Sequence, residues 1–244
     1  MPLQDSAAEL VFRVRQELRS VVTQYPALYL PVVRLGREVR DQAVHDGTEI
    51  VIEGFPRSGN SFTVDAFLAA QTRPVVVAHH LHAPAQIIAG VQRGLPTLLL
   101  IRPPEDAVVS LRALQVQANQ RDHRTPRTTS LRQLFRMYTR FHERVWPHRH
   151  GALVGRFEEV VADAGALIAR VNARYGTDFD VFEHTEANVQ ALRRGQRYHA
   201  APSDERRTIM EGLQRELALA RGTPEAEAAR AIHAQLERYA LHGD

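Results

Sequence analysis

The eight residues Gly54-Phe-Pro-Arg-Ser-Gly-Asn-Ser61 gather anion-binding chemistry into one turn. Gly54, four residues, Gly59 and then Asn60-Ser61 reproduce the spacing of a phosphate loop, except that a nucleoside triphosphatase has lysine where this chain has Asn60. The physics of such a loop does not need the lysine. Successive backbone N–H groups and the positive end of the following helix form an anion cradle, and Gly59 permits the backbone to wrap it. Arg57 supplies a permanently charged fork suited to phosphate or sulfate oxygens, and Ser58, Asn60 and Ser61 add polar groups. A second anion site is expected where Arg102 follows an apolar run, with Ser110 eight residues on. Three histidines, His79, His80 and His82, crowd into four positions and titrate in the range useful for proton transfer. Neither His79–His80 nor His80–His82 has the helical spacing of a zinc protease.

These residues must be positioned by the elements around them. Residues 49–54, 74–78, 97–101 and 152–155 read as short strands, the first three followed by helices at 60–70, 84–93 and 106–117. Continuous apolar strands alternating with helices argue for a parallel sheet covered on both faces, with ligands at the C-terminal strand ends. Arg57, the histidines and Arg102 all fall at such ends. Further helices are expected over 6–24, ended by Pro26, weakly over 31–44, and over 131–146, 158–175, 204–221 and 224–241. Residues 177–203 read as irregular. Residues 118–130 read as a mobile polar loop that could close over a substrate, and 146–150 as exposed surface. The C-terminal helices are assigned to packing or to an oligomer contact, a homodimer included.

The 244 residues, 44% of them hydrophobic, suffice for one α/β domain with a real core. No internal repeat or long linker divides the chain. The expectation is a single domain over 1–244: a helical segment 1–45, a core 46–215, and C-terminal helices 204–241. The absence of cysteine excludes disulfides, zinc–thiolate sites and thiol catalysis. All 31 basic residues are arginine, yet net charge is only +3 and no dense basic run occurs, so no nucleic-acid partner is expected. No apolar run reaches the ~18–20 residues that span a bilayer, and the first residues lack a signal-peptide core. The chain is therefore read as soluble and cytoplasmic, without stable membrane insertion.

Phe55-Pro-Arg-Ser-Gly-Asn-Ser-Phe62 resembles the 5′-phosphosulfate loop of sulfotransferases that use 3′-phosphoadenosine-5′-phosphosulfate (PAPS). Arg102 with Ser110 is similar to that family's 3′-phosphate motif at the same spacing. Val154-Gly-Arg-Phe-Glu-Glu-Val-Val161 is similar to its Arg-Tyr-Glu-Asp-Leu segment, and Leu192-Arg-Arg-Gly195 resembles its late Arg-Lys-Gly motif. The motifs keep the family's order over residues 49–215, and the first two are the specific pair. The resemblance implies a three-layer α/β/α fold, P-loop nucleotide-hydrolase-like, with a mainly parallel sheet of four to five strands. It implies PAPS as donor and PAP as product, with no metal. The nucleotide would be held by Arg57, Ser58, Gly59, Asn60, Ser61 and Phe62 at one end. Arg102, Ser110, Arg193, Arg194 and Gly195 would hold the other. Of the three histidines, the family position selects His80 as general base, beside Arg57 at the reacting centre. The acceptor would be a small molecule, carbohydrate or lipid.

Several positions depart from the family pattern. Ala78 replaces a lysine before the catalytic histidine, Arg57 replaces the loop lysine, and Phe62 replaces tryptophan. Phe157 replaces tyrosine, and Gln-Arg-Tyr198 replaces the usual Gly-Asp-Trp. A loop of this architecture also serves small-molecule and nucleoside kinases, and the same residues would suit a non-catalytic nucleotide-binding protein.

Overall fold

The computed structural model describes residues 2–36, 39–122, 128–195 and 204–243. Its centre is a four-stranded parallel sheet in the order β2-β1-β3-β4, formed by β1 (Ile50–Gly54), β2 (Val77–His79), β3 (Thr97–Ile101) and β4 (Leu153–Arg156). Side chains alternate across a strand, so each strand feeds two cores. Ile50, Ile52, Leu98, Leu100 and Leu153 pack on one face against α3 (Asn60–Ala70) and α7 (Phe157–Tyr175). Val51, Leu99, Ile101 and Val154 pack on the other, against α4 (Pro84–Gln92), α5 (Pro104–Asp122), α6 (Leu131–Val145) and α11 (Pro224–His242). The three-layer α/β/α expectation holds, with four strands.

The strand order reverses between β1 and β3. Loops that follow the two strands at such a reversal diverge, and the crevice between them is where open α/β sheets bind ligands. Here the loop after β1 carries Arg57 and the segment after β3 begins with Arg102. β2 lies on the other side of β1, so the histidine segment opens at the same end.

Several sequence expectations need correction. Pro26 starts a helix rather than only ending one: α1 spans Pro2–Val22 and α2 spans Pro26–Leu35, with the proline in the first turn, where no N–H is needed. The helix expected over 31–44 stops at Leu35, and among the described residues a short 3₁₀ turn, Arg40–Gln42, follows. The polar stretch 118–130 is not all loop. α5 continues to Asp122, Thr128 and Thr129 are buried, and Ser130 caps α6 by accepting from the Gln133 N–H. Residues 123–127, with His123, Arg124 and Arg127, lie outside the described residues.

Within 177–203, α8 forms over Glu186–Gly195, anchored by the buried Val189. α7 is broken at Asp163 (φ −159°, ψ 93°), whose carboxylate re-caps the second half by accepting from the Ala166 N–H. The 146–150 stretch is a 3₁₀ turn with partly buried members, because the Arg149 guanidinium lies 4.0 Å over the Trp146 ring, which itself meets Tyr239. The segment 204–221 divides into α9 (Asp204–Gly212) and α10 (Gln214–Ala220). Among the described residues no helix is long and apolar enough to cross a membrane.

Candidate functional site

The end of β1 delivers the chain into the 55–59 turn. Gly54 is required there because a Cβ would stand 2.3 Å from the Leu100 carbonyl oxygen of the neighbouring strand. Gly59 has φ +92° and caps α3, so the first N–H groups of that helix point out of the turn without intrahelical partners. Asn60 takes a structural position: 3% exposed, it donates from Nδ2 to the Phe55 and Gly54 carbonyls at 3.1 and 3.4 Å. The residue standing in for the phosphate-loop lysine therefore braces the loop from within. Ser58 is fully buried, and its N–H bonds back to the Phe55 carbonyl, so the cradle is left to the groups that follow it.

Arg57 and Arg102 interlock across the reversal point. Arg57 Nε donates to Ser110 Oγ at 3.0 Å, and Arg102 Nη1 donates to the Arg57 carbonyl at 3.0 Å. The Arg102 guanidinium also lies 4.0 Å over the Phe157 ring, so the resemblance-matched phenylalanine at the head of α7 is its platform. Its backbone carbonyl accepts from the buried Tyr138 hydroxyl at 2.8 Å. Burial, and then the positive charges of Arg206 and Arg102, depress the Arg57 pKa to about 10. Burial likewise lowers Arg102, opposed by the carboxylates of Asp106 and Glu158. Ser110, expected beside Arg102, is thus engaged by Arg57.

The histidine segment approaches from β2. His80 Nε2 lies 3.0 Å from Ser61 Oγ, and His79 and His80 meet through their Nδ1 atoms. In the tautomer with the proton on His80 Nδ1, the Nε2 lone pair faces the serine hydroxyl. Burial lowers the His80 pKa, while Asp65 pulls it back up. His79 is held at about 4 by burial and by His80. His82 faces another way: its Nδ1–H donates to the Gly54 carbonyl at 3.0 Å, and burial keeps it neutral, with a pKa of about 4. Geometry therefore separates His80, beside the loop, from His82, which is a strut.

Among the described residues, three that are not glycine have positive φ: Arg57 at 73°, His80 at 59° and His82 at 50°. Such conformations cost about 1–3 kcal/mol each and persist only where the surroundings impose them. The fully buried Glu53 does part of the imposing. Its Oε2 accepts from the His82 N–H at 2.6 Å, and the N–H groups of Gly54, Leu81 and Ala83 also point at the carboxyl. Burial nevertheless dominates and raises its pKa to about 8.

Arg57, Arg102, Ser61 and the three histidines line one cleft of about 1510 Å³. Of the residues expected at the site, Arg57, Gly59, Asn60, Ser61, Phe62, Arg102, Ser110, His80 and Arg193 line it. Ser58 is buried behind it. Arg194 and Gly195 are not among the described lining residues, and Arg197 and Tyr198 lie outside the described ones. Phe62 stands edge-on to Phe182 (6.4 Å) and His184 (5.8 Å), leaving an aromatic wall at the mouth of the loop. Sequence reasoning missed three contributors. Arg206, in α9, is 3% exposed and reaches Gln117 through Nε at 3.0 Å while lining the cleft. Gln16 and Ser20 of α1 line the opposite wall. The only sequence signal for Arg206 is its place in the arginine pair Arg206-Arg207.

The fold and the loop define an α/β protein of phosphate-loop architecture whose cleft is lined by arginines and histidines. No family model matches the chain, and no curated protein matches it. Among solved structures, that of mouse sulfotransferase SULT7A1 complexed with PAP is similar, at 12% identity and a TM-score of 0.41, over 84% of this chain and 92% of that one. A likeness of that size carries nothing about activity.

Proposed function

We propose that this chain is a PAPS-dependent sulfotransferase. The observation that carries the reading is the convergence of Arg57, Arg102 and Arg206 in one cleft, with His80 Nε2 held 3.0 Å from Ser61 Oγ at the head of α3. The charges of Arg102 and Arg206 bear on Arg57, a crowding of cations that fits a ligand with several negative charges, and the buried Arg102 Nε has no hydrogen-bond partner among the described residues. PAPS would bring an already activated sulfuryl group, so the residues have to position and neutralise rather than activate. Arg57 and the first N–H groups of α3 would hold the 5′ end. Arg102, Ser110, Arg193 and Arg206 would hold the 3′-phosphate, and Phe62 would face the base. His80 Nε2 would accept the proton of the acceptor hydroxyl or amine as it attacks.

The acceptor, a small molecule, carbohydrate or lipid, would enter along the wall that α1 and α6 provide. A kinase of similar architecture is disfavoured by Asn60, whose buried side chain is committed to loop carbonyls and cannot reach a phosphate chain.

Titration calorimetry with PAP, beside ATP with magnesium, tests the reading. PAP should bind without metal, and Arg102→Ala should weaken it by about 10- to 100-fold, as expected for loss of charge-assisted hydrogen bonds worth roughly 1.5–3 kcal/mol. His80→Asn should retain PAP affinity and lose transfer to any acceptor found. Preference for ATP with magnesium, or PAP affinity indifferent to Arg102, would overturn it.

A further inference from the structure

The corner Arg102-Pro103-Pro104 carries the chain from β3 into α5, and side chains from two distant helices hold it. The Tyr138 hydroxyl of α6 donates to the Arg102 carbonyl at 2.8 Å, and His233 Nδ1 of α11 lies 3.0 Å from the same hydroxyl. A phenol has one hydrogen and a carbonyl can only accept, so the histidine contact runs the other way: Nδ1–H donates to the tyrosine oxygen. The order His233, Tyr138, Arg102 is thereby fixed. Just beyond the prolines, Arg230 of α11 reaches Glu105 in the first turn of α5 at 2.9 Å. α11 thus grips the corner on both sides of its prolines.

Tyr138 is fully buried, and close packing leaves its ring little freedom to swing the hydroxyl away. Phe55, which opens the anion loop after β1, meets the ring edge-on at 5.0 Å, and His142, one turn along α6, meets it at 4.0 Å. The carbonyl it holds belongs to a residue whose side chain depends on alignment. Arg102 Nη1 is committed to the Arg57 carbonyl, its guanidinium lies over Phe157, and its buried Nε has no hydrogen-bond partner among the described residues. Turning the Arg102 peptide would shift both contacts and the unpartnered nitrogen together, because the side-chain directions open to a residue depend on its φ and ψ.

We infer that Tyr138, oriented by His233, is a positioning residue that aims the Arg102 guanidinium at the anion the cleft binds, without touching that anion itself. Neither Tyr138 nor His233 is among the residues that line the cleft. The role rests on Arg102 as the anion ligand proposed above, and not on which anion that is. Packing alone does not need the hydroxyl, since a phenylalanine ring fills the same space against Phe55 and His142. What the oxygen adds is a fixed direction for the Arg102 peptide. Removing it should therefore cost anion affinity only through Arg102, and the cost should vanish once the Arg102 side chain is gone. A merely structural hydroxyl would cost the same in either background.

Titration calorimetry with PAP on the wild type, Tyr138→Phe, Arg102→Ala and the double variant reads this coupling. Tyr138→Phe should weaken PAP about five- to tenfold with unchanged circular dichroism, as for one hydrogen bond lost. The double variant should bind no worse than Arg102→Ala alone. His233→Leu should repeat the loss, and His233→Asn, whose amide nitrogen still donates, should recover it; this pair decides the matter if Tyr138→Phe fails to fold. Wild-type affinity in Tyr138→Phe or in His233→Leu would overturn the role. So would a Tyr138→Phe loss that adds in full to that of Arg102→Ala, or a His233→Asn as weak as His233→Leu. If the wild type does not bind PAP, the sulfotransferase reading falls, and the same proteins titrated with inorganic pyrophosphate decide the positioning. Binding of neither anion, or binding indifferent to Arg102, would overturn both.

Discussion

Replacing Glu53 by glutamine should change how stability depends on pH in a direction set by burial. The carboxyl is fully buried, and its pKa stands at about 8 against the ordinary 4.5. A raised folded-state value means that the fold prefers the protonated acid. The stability it contributes is complete below the unfolded pKa and is lost as pH rises from 4.5 towards 8. For one such group, linkage gives a loss of about 2.5 kcal/mol between about pH 5.5 and about pH 7.5, approaching 1.4 kcal/mol per pH unit. Glutamine keeps an oxygen to accept from the His82 N–H and has no proton to lose. Urea unfolding of both proteins at the two pH values measures the effect as a difference of differences. His79 and His82, held near 4, and His142, held near 3 by burial, work the other way, adding stability as pH rises through 6.5. They are common to both proteins and cancel. The glutamine variant should gain about 2–3 kcal/mol on wild type as the pH is raised. If the gap between the two stays constant within about 0.5 kcal/mol, Glu53 does not carry its proton in the folded chain and the reasoning fails.

Gly59→Ala should destabilise the chain by about 1–2 kcal/mol in thermal or urea unfolding, since φ is +92° and the new Cβ would press on Phe157 and Val160 at 3.3 Å. Arg206→Gln should weaken PAP binding about tenfold, in calorimetry at two salt concentrations, with a smaller salt dependence than wild type; equal affinity would confine Arg206 to packing.

The sheet and its loops were legible because glycine and proline punctuate them. β3 and α3 fall on their expected bounds, and Gly54, Gly59, Pro74, Pro84 and Pro96 mark the breaks on either side of the strands. Arg57 and Arg102 were legible because each follows an apolar strand, where an open parallel sheet presents its ligands. Other features leave no such mark. Glu53 sits inside an apolar run and reads as one more strand residue, although it anchors the histidine turn. The positive φ of His80 and His82 has no compositional trace. Arg206 reaches the cleft from a helix more than a hundred residues downstream, through packing between α9 and α5 that local pattern does not encode. The apolar spacing of 6–24 identifies a helix but not which way it turns; ion pairs from Arg136 and Arg140 of α6 to Glu17 decide that.

The three left-handed residues have a consequence for how this chain tolerates change. Arg57, His80 and His82 all occupy backbone positions where glycine would rest without penalty. A search for thermostable variants should therefore drift towards glycine at these positions, each such change relieving roughly 1 kcal/mol of strain if the lost side-chain contacts cost less. The same drift would strip the cleft of a guanidinium and two imidazoles. Robustness and competence pull against each other at three points of one cleft, and a library selected for heat resistance alone would erase the site before it disturbed the sheet.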